Sequence, residues 1–437
     1  MKKSVIGLAA AAAAAALALT GCSNPSVDSG AQGSQEWPAQ DTELDGVTLT
    51  LWAAQNSTKT ADPVIKGFAE LTGAQVEVET IPDPYEQGVQ TKVATGNLPD
   101  LAFWQPTASM LTALNAPQNL QSLDGAPWVE DYTGDLGSMT GLLDDTRYAA
   151  LVTTPAVIGV YYNKEVFEQA GINQTPGNWE EFISLAQDLK SEGTTPFYGM
   201  AADKWGTQWW VQAQLADAAE DGLWDRINTN EAQFTDPEVL DAIKNYQDLI
   251  EQGLFNDNLK TATFVDQGKA LLAGDAAMAM QVNSFFGELQ SLSSTEELNQ
   301  KIGFFPLSPS GNVGTFIPDQ SNAVVAFKTG DEKKEAAARQ FLSYWLGQGY
   351  SNFVDKQNTV SVLQSTETPD TVPTALQEVA AALDGSVGSM QALAIANPDL
   401  YLNLADMVQG TKTPQQVAEA TQNQFAQLAQ AQGAEGF

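Results

Sequence analysis

Aromatic side chains set among amides and hydroxyls are the residues of this chain best suited to chemistry. Trp104 is followed by Gln105-Pro106-Thr107, and Trp205, Trp209 and Trp210 stand in the run Asp203-Lys204-Trp205-Gly206-Thr207-Gln208-Trp209-Trp210. Phe285 and Phe286 follow Asn283-Ser284. An aromatic face offers apolar stacking, and neighbouring Asn, Gln or Asp offers directional hydrogen bonds. The combination suits a pyranose, with its C–H faces and rim of hydroxyls. A Trp on the apolar face of a helix, such as Trp345, reads instead as core filler. The carboxylates carry less information. Asp144-Asp145 and Glu180-Glu181 are adjacent pairs, whereas a glycoside-cleaving pair spans a sugar at roughly 5–10 Å. Adjacent acids are ordinarily solvated or lie in the first turn of a helix. No GxSxG, HExxH, Walker loop, GxGxxG or EF-hand spacing occurs.

Composition narrows the chemistry further. The 437 residues include 54 Asp plus Glu, 20 Lys plus Arg, no His and one Cys, for a formal net charge of −34. Such a chain will not track a phosphate backbone, so no nucleic-acid partner is expected. Without His there is no imidazole base and no His-ligated metal, and one Cys makes no intrachain disulfide or thiolate cluster. Neither a metal nor a cofactor is expected. A hydrophobic content of 43% is that of a globular chain, and the length fits two or three domain-sized units.

The N-terminus carries its own signal. Lys2 and Lys3 precede an Ala-rich apolar run over residues 5–19, the length of a signal-peptide core rather than a membrane span. The run ends Leu19-Thr20-Gly21-Cys22, which resembles a bacterial lipobox. That resemblance implies cleavage after residue 21, lipidation of Cys22, and anchoring outside the cytoplasm on the cell membrane. Residues 22–44 read as a flexible tether rich in Pro, Gly, Ser, Gln and acids.

The folded body must position the aromatics. Val47, Leu49 and Leu51 alternate with Thr48, Thr50 and Trp52, predicting a strand, and Val76 and Val78 predict a second. Helices are expected over residues 63–71, closed by Gly73, and 85–95, closed by Gly96. Residues 101–104 read as a short buried strand, and residues 158–162 and 323–327 as further strands. Over residues 47–104, short strands joined by helices imply a parallel α/β sheet. Capping boxes are expected at Asn178/Glu181, Thr235/Glu238 and Thr329/Glu332, ahead of amphipathic runs such as Val239, Ile243, Tyr246 and Ile250. The region from about residue 374 reads as mostly helical, with a last helix from Pro414.

From about residue 47 onward the chain resembles the extracellular solute-binding proteins of family 1, the carbohydrate receptors of ABC importers. The resemblance is carried by Lys92-Val93-Ala94-Thr95-Gly96-Asn97-Leu98-Pro99-Asp100 running into Leu101-Ala102-Phe103-Trp104, and by Tyr161-Tyr162-Asn163-Lys164-Glu165-Val166-Phe167 with Ala170-Gly171-Ile172. It is carried also by the Trp179-Glu180-Glu181-Phe182 helix, by Gly268-Lys269-Ala270 with Met278-Ala279-Met280-Gln281-Val282-Asn283, and by Ala323-Val324-Val325-Ala326-Phe327. It implies an α/β, two-lobed periplasmic-binding-protein-like fold of type II, with a ligand cleft between discontinuous lobes joined by hinge segments. One lobe would hold residues 45–154 and 319–361, the other 155–318 and 362–437, with crossings near 153–158, 315–321 and 358–364.

Carried over residue by residue, the resemblance makes Trp104 the cleft Trp, with Gln105, Thr107, Gln55 and Asn56 as polar contacts. Trp104→Ala would then weaken binding by more than about tenfold with the fold intact. Trp205, Trp209 and Trp210 would supply aromatics from the second lobe, Phe285 or Phe286 would stand where many relatives have a stacking Trp, and Asn283 would be a further ligand contact. Asp319, near the second crossing, and Tyr401, in the C-terminal helices, complete the set. The function implied is that of a monomeric, non-enzymatic receptor for a neutral mono- or oligosaccharide that delivers it to an ABC permease. A surface glycan hydrolase and an adhesin are the competing classes.

Overall fold

The computed structural model describes residues 37–437 other than 56, 83 and 84. The expected signal peptide, Cys22, the first part of the tether and Asn56 lie outside the described residues. The strands are β1 (Thr48–Ala53), β2 (Gln75–Thr80), β3 (Leu101–Phe103), β4 (Leu142–Leu143), β5 (Thr146–Arg147), β6 (Ala149–Leu151), β7 (Ala156–Asn163), β8 (Met278–Gln281), β9 (Ile302–Phe305), β10 (Thr315–Ile317), β11 (Ala323–Ala326) and β12 (Val387–Gly388).

Two five-stranded sheets organise two lobes. The first has the order β2-β1-β3-β11-β6; the second has β12-β10-β7-β8, with β9 also on β7. β1 is parallel to β2 and β3, as expected, but β11 is antiparallel to β3 and β6. In the second sheet β7 is antiparallel to β8, β9 and β10, and only β10 and β12 are parallel. The parallel expectation holds for β1, β2 and β3, the strands it was drawn from, and the rest of the molecule is mostly antiparallel. β11 arrives directly from the other sheet, and a parallel neighbour needs a helical crossover on its own lobe.

β7 is buried on both faces. Ile158 and Val160 belong to one core with Phe182, Phe197, Trp210 and Phe255. Val157 and Tyr161 belong to the other, which runs from Leu49, Phe103 and Trp345 to Phe285, Phe286 and Phe304. The alternation is the period of two that a strand imposes.

Helix boundaries follow their end residues. Gly73 takes φ 77° after Asp62–Thr72, the left-handed conformation that a residue without Cβ accepts freely. Asn178 accepts a hydrogen bond from Glu181 N at 2.9 Å, although the Glu181 carboxylate bonds Gly177 N instead of closing the box. The other two expected boxes do not form. Helix Pro237–Glu251 begins after Asp236, and Glu238 pairs with Arg226 at 3.0 Å. Helix Glu332–Trp345 is capped by Asp331, which accepts from Lys333 N and Lys334 N. At the second an acid nearer the helix start takes over the cap, whereas at the first Asp236 stands at the N-cap position without a side-chain cap bond and accepts from Gln233 N.

Residues 37–44 correct the expected tether. Trp37 packs edge-on against Trp128 at 4.8 Å and donates from Nε1 to Asp124 O at 3.3 Å. Gln340 Nε2 donates to Gln40 O and Thr42 O, and Gln348 N donates to Gln40 Oε1. Leu44 is buried, with its N–H on Thr72 O at 2.7 Å. This strap belongs to the folded body because Trp37 and Leu44 bury apolar surface at its two ends.

The chain passes from the first sheet to the second between Leu151 and Ala156 and returns between Ile317 and Ala323. The third passage differs from the one expected near residues 358–364. Thr133 N donates to Val362 O, and Gln364 N donates to Asp131 O at 2.7 Å, so this stretch stays on the first lobe. Helix Thr374–Ala381 packs on the second, where Glu378 accepts from Phe304 N at 3.2 Å. The passage therefore lies between residues 365 and 374.

Replacing Trp37 tests the strap. Trp37→Ala should cost roughly 1–2 kcal/mol through the lost ring contact and hydrogen bond. Urea denaturation measures it, and stability equal to that of the parent chain would return residues 37–44 to the tether.

Candidate functional site

The hinge passages border a cleft of about 730 Å³, within the usual range for small-molecule sites. Its aromatic wall comes from the second lobe. Trp205 is half-buried, and Trp209 is 6% exposed; their rings meet edge-on at 6.1 Å. Phe286 closes the floor, backed by Tyr161 at 5.5 Å. The hinge supplies Thr153, Thr154, Asp319, Ser321 and Asn322, and the first lobe supplies Gln357, Asn358 and Thr359. Gln290 and Asn283 complete the polar rim. Asp319 is the one ionisable residue among the described lining residues, and its Oδ1 accepts from Ser321 N at 2.9 Å and Ser321 Oγ at 2.7 Å.

A tight turn aims the Trp wall. Lys204 sits at φ 57°, ψ −53°, with Trp205 N on Asp203 O at 2.5 Å. This three-residue turn is rare for a side chain with Cβ and must be held from outside. Asp203 Oδ2 accepts from Phe264 N, and Thr207 Oγ1 lies 2.7 Å from Lys204 O. A buried amide ladder then ties the turn to helix Met390–Leu393. Gln208 Nε2 donates to Trp205 O, Gln391 Nε2 donates to Gln208 Oε1 at 2.6 Å, and Gln212 Nε2 donates to Gln391 Oε1 at 2.7 Å. Met390 N donates to Gln212 Oε1. The four-residue spacing of Gln208 and Gln212 is visible in the sequence, but their partner lies nearly two hundred residues away. Trp209 Nε1 is a buried donor with no acceptor from the described protein.

Of the expected contacts, Trp205, Trp209, Asn283, Phe286 and Asp319 border this cleft. The others do not. Trp104 is 0% exposed, donates to Met110 O at 2.9 Å and packs near Tyr85. It is a core residue of the first lobe, drawn inward by strand β3, whose burial continues past Phe103. Thr107 is buried as the N-cap of helix Ala108–Ala113. Gln105 is half-buried and Gln55 is exposed in the loop after β1, and neither is among the residues lining the cleft. Trp210 stacks on Tyr246 at 6.0 Å, and Phe285 packs between Tyr161 and Phe264. Tyr401 contributes its backbone carbonyl, 3.1 Å from Thr207 Oγ1, and supports the Trp turn from behind. The residues missed by sequence reading are mainly Thr154, Ser321, Asn322 and residues 357–359. The expected first two crossings were the signal for the hinge contacts.

No group of His, Cys, Asp and Glu among the described residues could hold a metal ion, and none of their helices is long and apolar enough to cross a membrane.

The model of the bacterial extracellular solute-binding protein family matches residues 54–351. A binding protein of Brucella abortus is 23% identical over 318 residues, covering 67% of this chain and 71% of that one. Two solved structures share the fold. A chitin oligosaccharide binding protein superposes with a TM-score of 0.72 at 20% identity, covering 89% of this chain and 100% of its own. The solute-binding protein RafE in complex with raffinose superposes with a TM-score of 0.69 at 22% identity, covering 88% and 100%.

The burial of Trp104 turns its substitution into a stability experiment. Trp104→Ala should destabilise the fold by about 3–5 kcal/mol, whereas the half-buried Trp205→Ala should cost much less. Chemical denaturation separates them; near-parent stability of Trp104→Ala would put its indole outside the core.

Proposed function

The chain belongs to the bacterial extracellular solute-binding proteins, and from that premise we propose that it captures a neutral oligosaccharide between its lobes and delivers it to an ABC permease. The observation that carries this reading is the contrast between the chain and its cleft. A protein of net charge −34 lines its cleft with two indoles, a phenyl ring, amides and hydroxyls, and a single carboxylate. Such a surface stacks on sugar C–H faces and exchanges hydrogen bonds with hydroxyls, without the fixed charge that an ionic solute would need. The solved relatives named for chitin oligosaccharide and raffinose support a ligand of this class.

The site residues proposed are Trp205, Trp209 and Phe286 for stacking, and Gln290, Asp319, Ser321, Gln357 and Asn358 for the hydroxyl rim. The mechanism is hinge closure, driven by whatever affinity the ligand has for the closed form in excess of the open one. A two-carboxylate hydrolase would need a second acid across the sugar, and the described lining offers only Asp319. Delivery requires residence at the membrane, for which the lipobox-like Leu19-Thr20-Gly21-Cys22 supplies an anchor.

A thermal-shift screen over mono- and oligosaccharides tests the reading. A cognate sugar at a hundred times its Kd should add about 2.7 kcal/mol of stability, and Trp205→Ala should lower affinity at least about tenfold. If no neutral sugar stabilises the protein and a charged solute does, the reading is wrong. Anchoring has its own test: Cys22→Ser should move the protein expressed in a bacterial host from the detergent phase to the aqueous phase on Triton X-114 separation, and equal partitioning would rule out lipid attachment.

A further inference from the structure

The first hinge passage is held by two asparagines, one at the first-lobe end of the return passage and one from the second lobe. Asn322, immediately before β11 of the first sheet, donates from Nδ2 to Thr154 O and Thr153 Oγ1, both at 3.1 Å. Its Oδ1 accepts from Asp319 N at 2.6 Å. Asn283, two residues after β8 of the second sheet, donates from Nδ2 to Pro155 O at 3.1 Å and accepts at Oδ1 from Val157 N at 2.9 Å. Two consecutive carbonyls, of Thr154 and Pro155, are thus each held by a side-chain amide from a different lobe.

The residues between them sharpen the consequence. Pro155 has no N–H and a fixed φ, so it makes no backbone donation and cannot turn about N–Cα. Thr154, preceding a proline, is confined to extended conformations. Rotation between the lobes is therefore concentrated in few torsions, and the amides decide which ends of those torsions move with which lobe. The Asn322 amide has both donors engaged. The Asn283 amide lies between a donor and an acceptor, and only one orientation satisfies both.

We propose that Asn283 and Asn322 are positioning residues that pin two consecutive peptides, Pro155–Ala156 to the second lobe and Thr154–Pro155 to the first, and so define the pivot about which the lobes close. Both side chains border the cleft, which puts the pivot within reach of whatever fills it. Asn283 thereby gains a role beside the direct ligand contact expected for it. The inference rests on the reading of the molecule as a closing receptor.

Interlobe distances test it without a ligand. In the full chain carrying Cys22→Ser, spin labels at Lys66→Cys on the first lobe and Lys244→Cys on the second report the distance distribution by pulsed electron resonance. Asn322→Asp keeps the shape of the side chain but sets an acceptor against Thr154 O, and Asn283→Asp does the same against Pro155 O. Each should broaden the ligand-free distribution by about twofold while unfolding remains cooperative. Asn245→Asp, an amide of the second lobe outside the passages, should leave it unchanged, and Asn322→Gln, which keeps the donors, should narrow it again. A purely structural role would lower stability without moving the distribution. Unchanged distributions in both Asp variants would overturn the proposal; should Asn322→Asp fail to fold, Asn283→Asp decides alone. Broadening with no sugar bound by the parent chain would leave the clamp standing and remove the sugar reading, and a sugar that stabilises the parent beside unchanged distributions would do the reverse.

Discussion

Strand β7 has no solvent face, and most of the architecture answers to that constraint. Its even-numbered residues enter one core and its odd-numbered residues the other, so a slip of one residue would exchange the two sets. Two glycines fix the register. A Cβ on Gly159 would lie 2.4 Å from the Phe304 ring and 2.8 Å from Phe305 O, and one on Gly303 would lie 2.3 Å from the Tyr162 ring. The strand is consequently fixed from Ala156 onward, and rotation between the sheets is left to the short passage before it. The hinge sits where it does because the strand that follows cannot yield.

The same partition separates charge from function. The ion pairs among the described residues have exposed or half-exposed members, apart from Asp100, which is 4% exposed and holds Thr50 N at 2.8 Å and Lys334 Nζ at 3.4 Å. Surface pairs of this kind contribute little stability. The excess negative charge lies on a solvated exterior that resists self-association, while the described cleft lining is, Asp319 apart, built from neutral groups. Asp100 belongs to a sequence stretch expected to lead into the cleft. Its carboxylate instead fastens the start of β3 to β1, a structural role in a stretch that reads like a binding motif.

Sequence reading recovered what local physics controls. Alternation gave the first two strands, the glycine at position 73 ended its helix, and polar neighbours singled out Trp205 and Trp209. It failed where the decisive partner is distant. Trp104 also has polar neighbours in sequence, yet they turn away: Thr107 is consumed capping the next helix, and the indole goes inward to Met110 O. Trp37 lies in a polar, Pro-containing stretch and looks like linker until Trp128 is brought beside it. The third passage is displaced because Asp131 and Thr133, more than two hundred residues earlier, hold residues 362–365 to the first lobe. None of these pairings leaves a periodic trace in the chain.

The one-sided aromatic wall has a consequence for how closure would be driven on the proposed reading. Trp205, Trp209 and Phe286 all belong to the second lobe. A ligand stacked on them keeps those contacts whether the cleft is open or closed. Such contacts raise affinity for both states equally, and a ligand that binds two states equally shifts neither. The preference for closure must come from groups that reach the ligand only after rotation. On the first lobe these are Gln357, Asn358 and Thr359, which offer hydrogen bonds and no stacking surface. Residence would then be set by indoles and closure by amides and a hydroxyl. A sugar that stacks well but lacks hydroxyls on its outward rim would be held without closing the molecule.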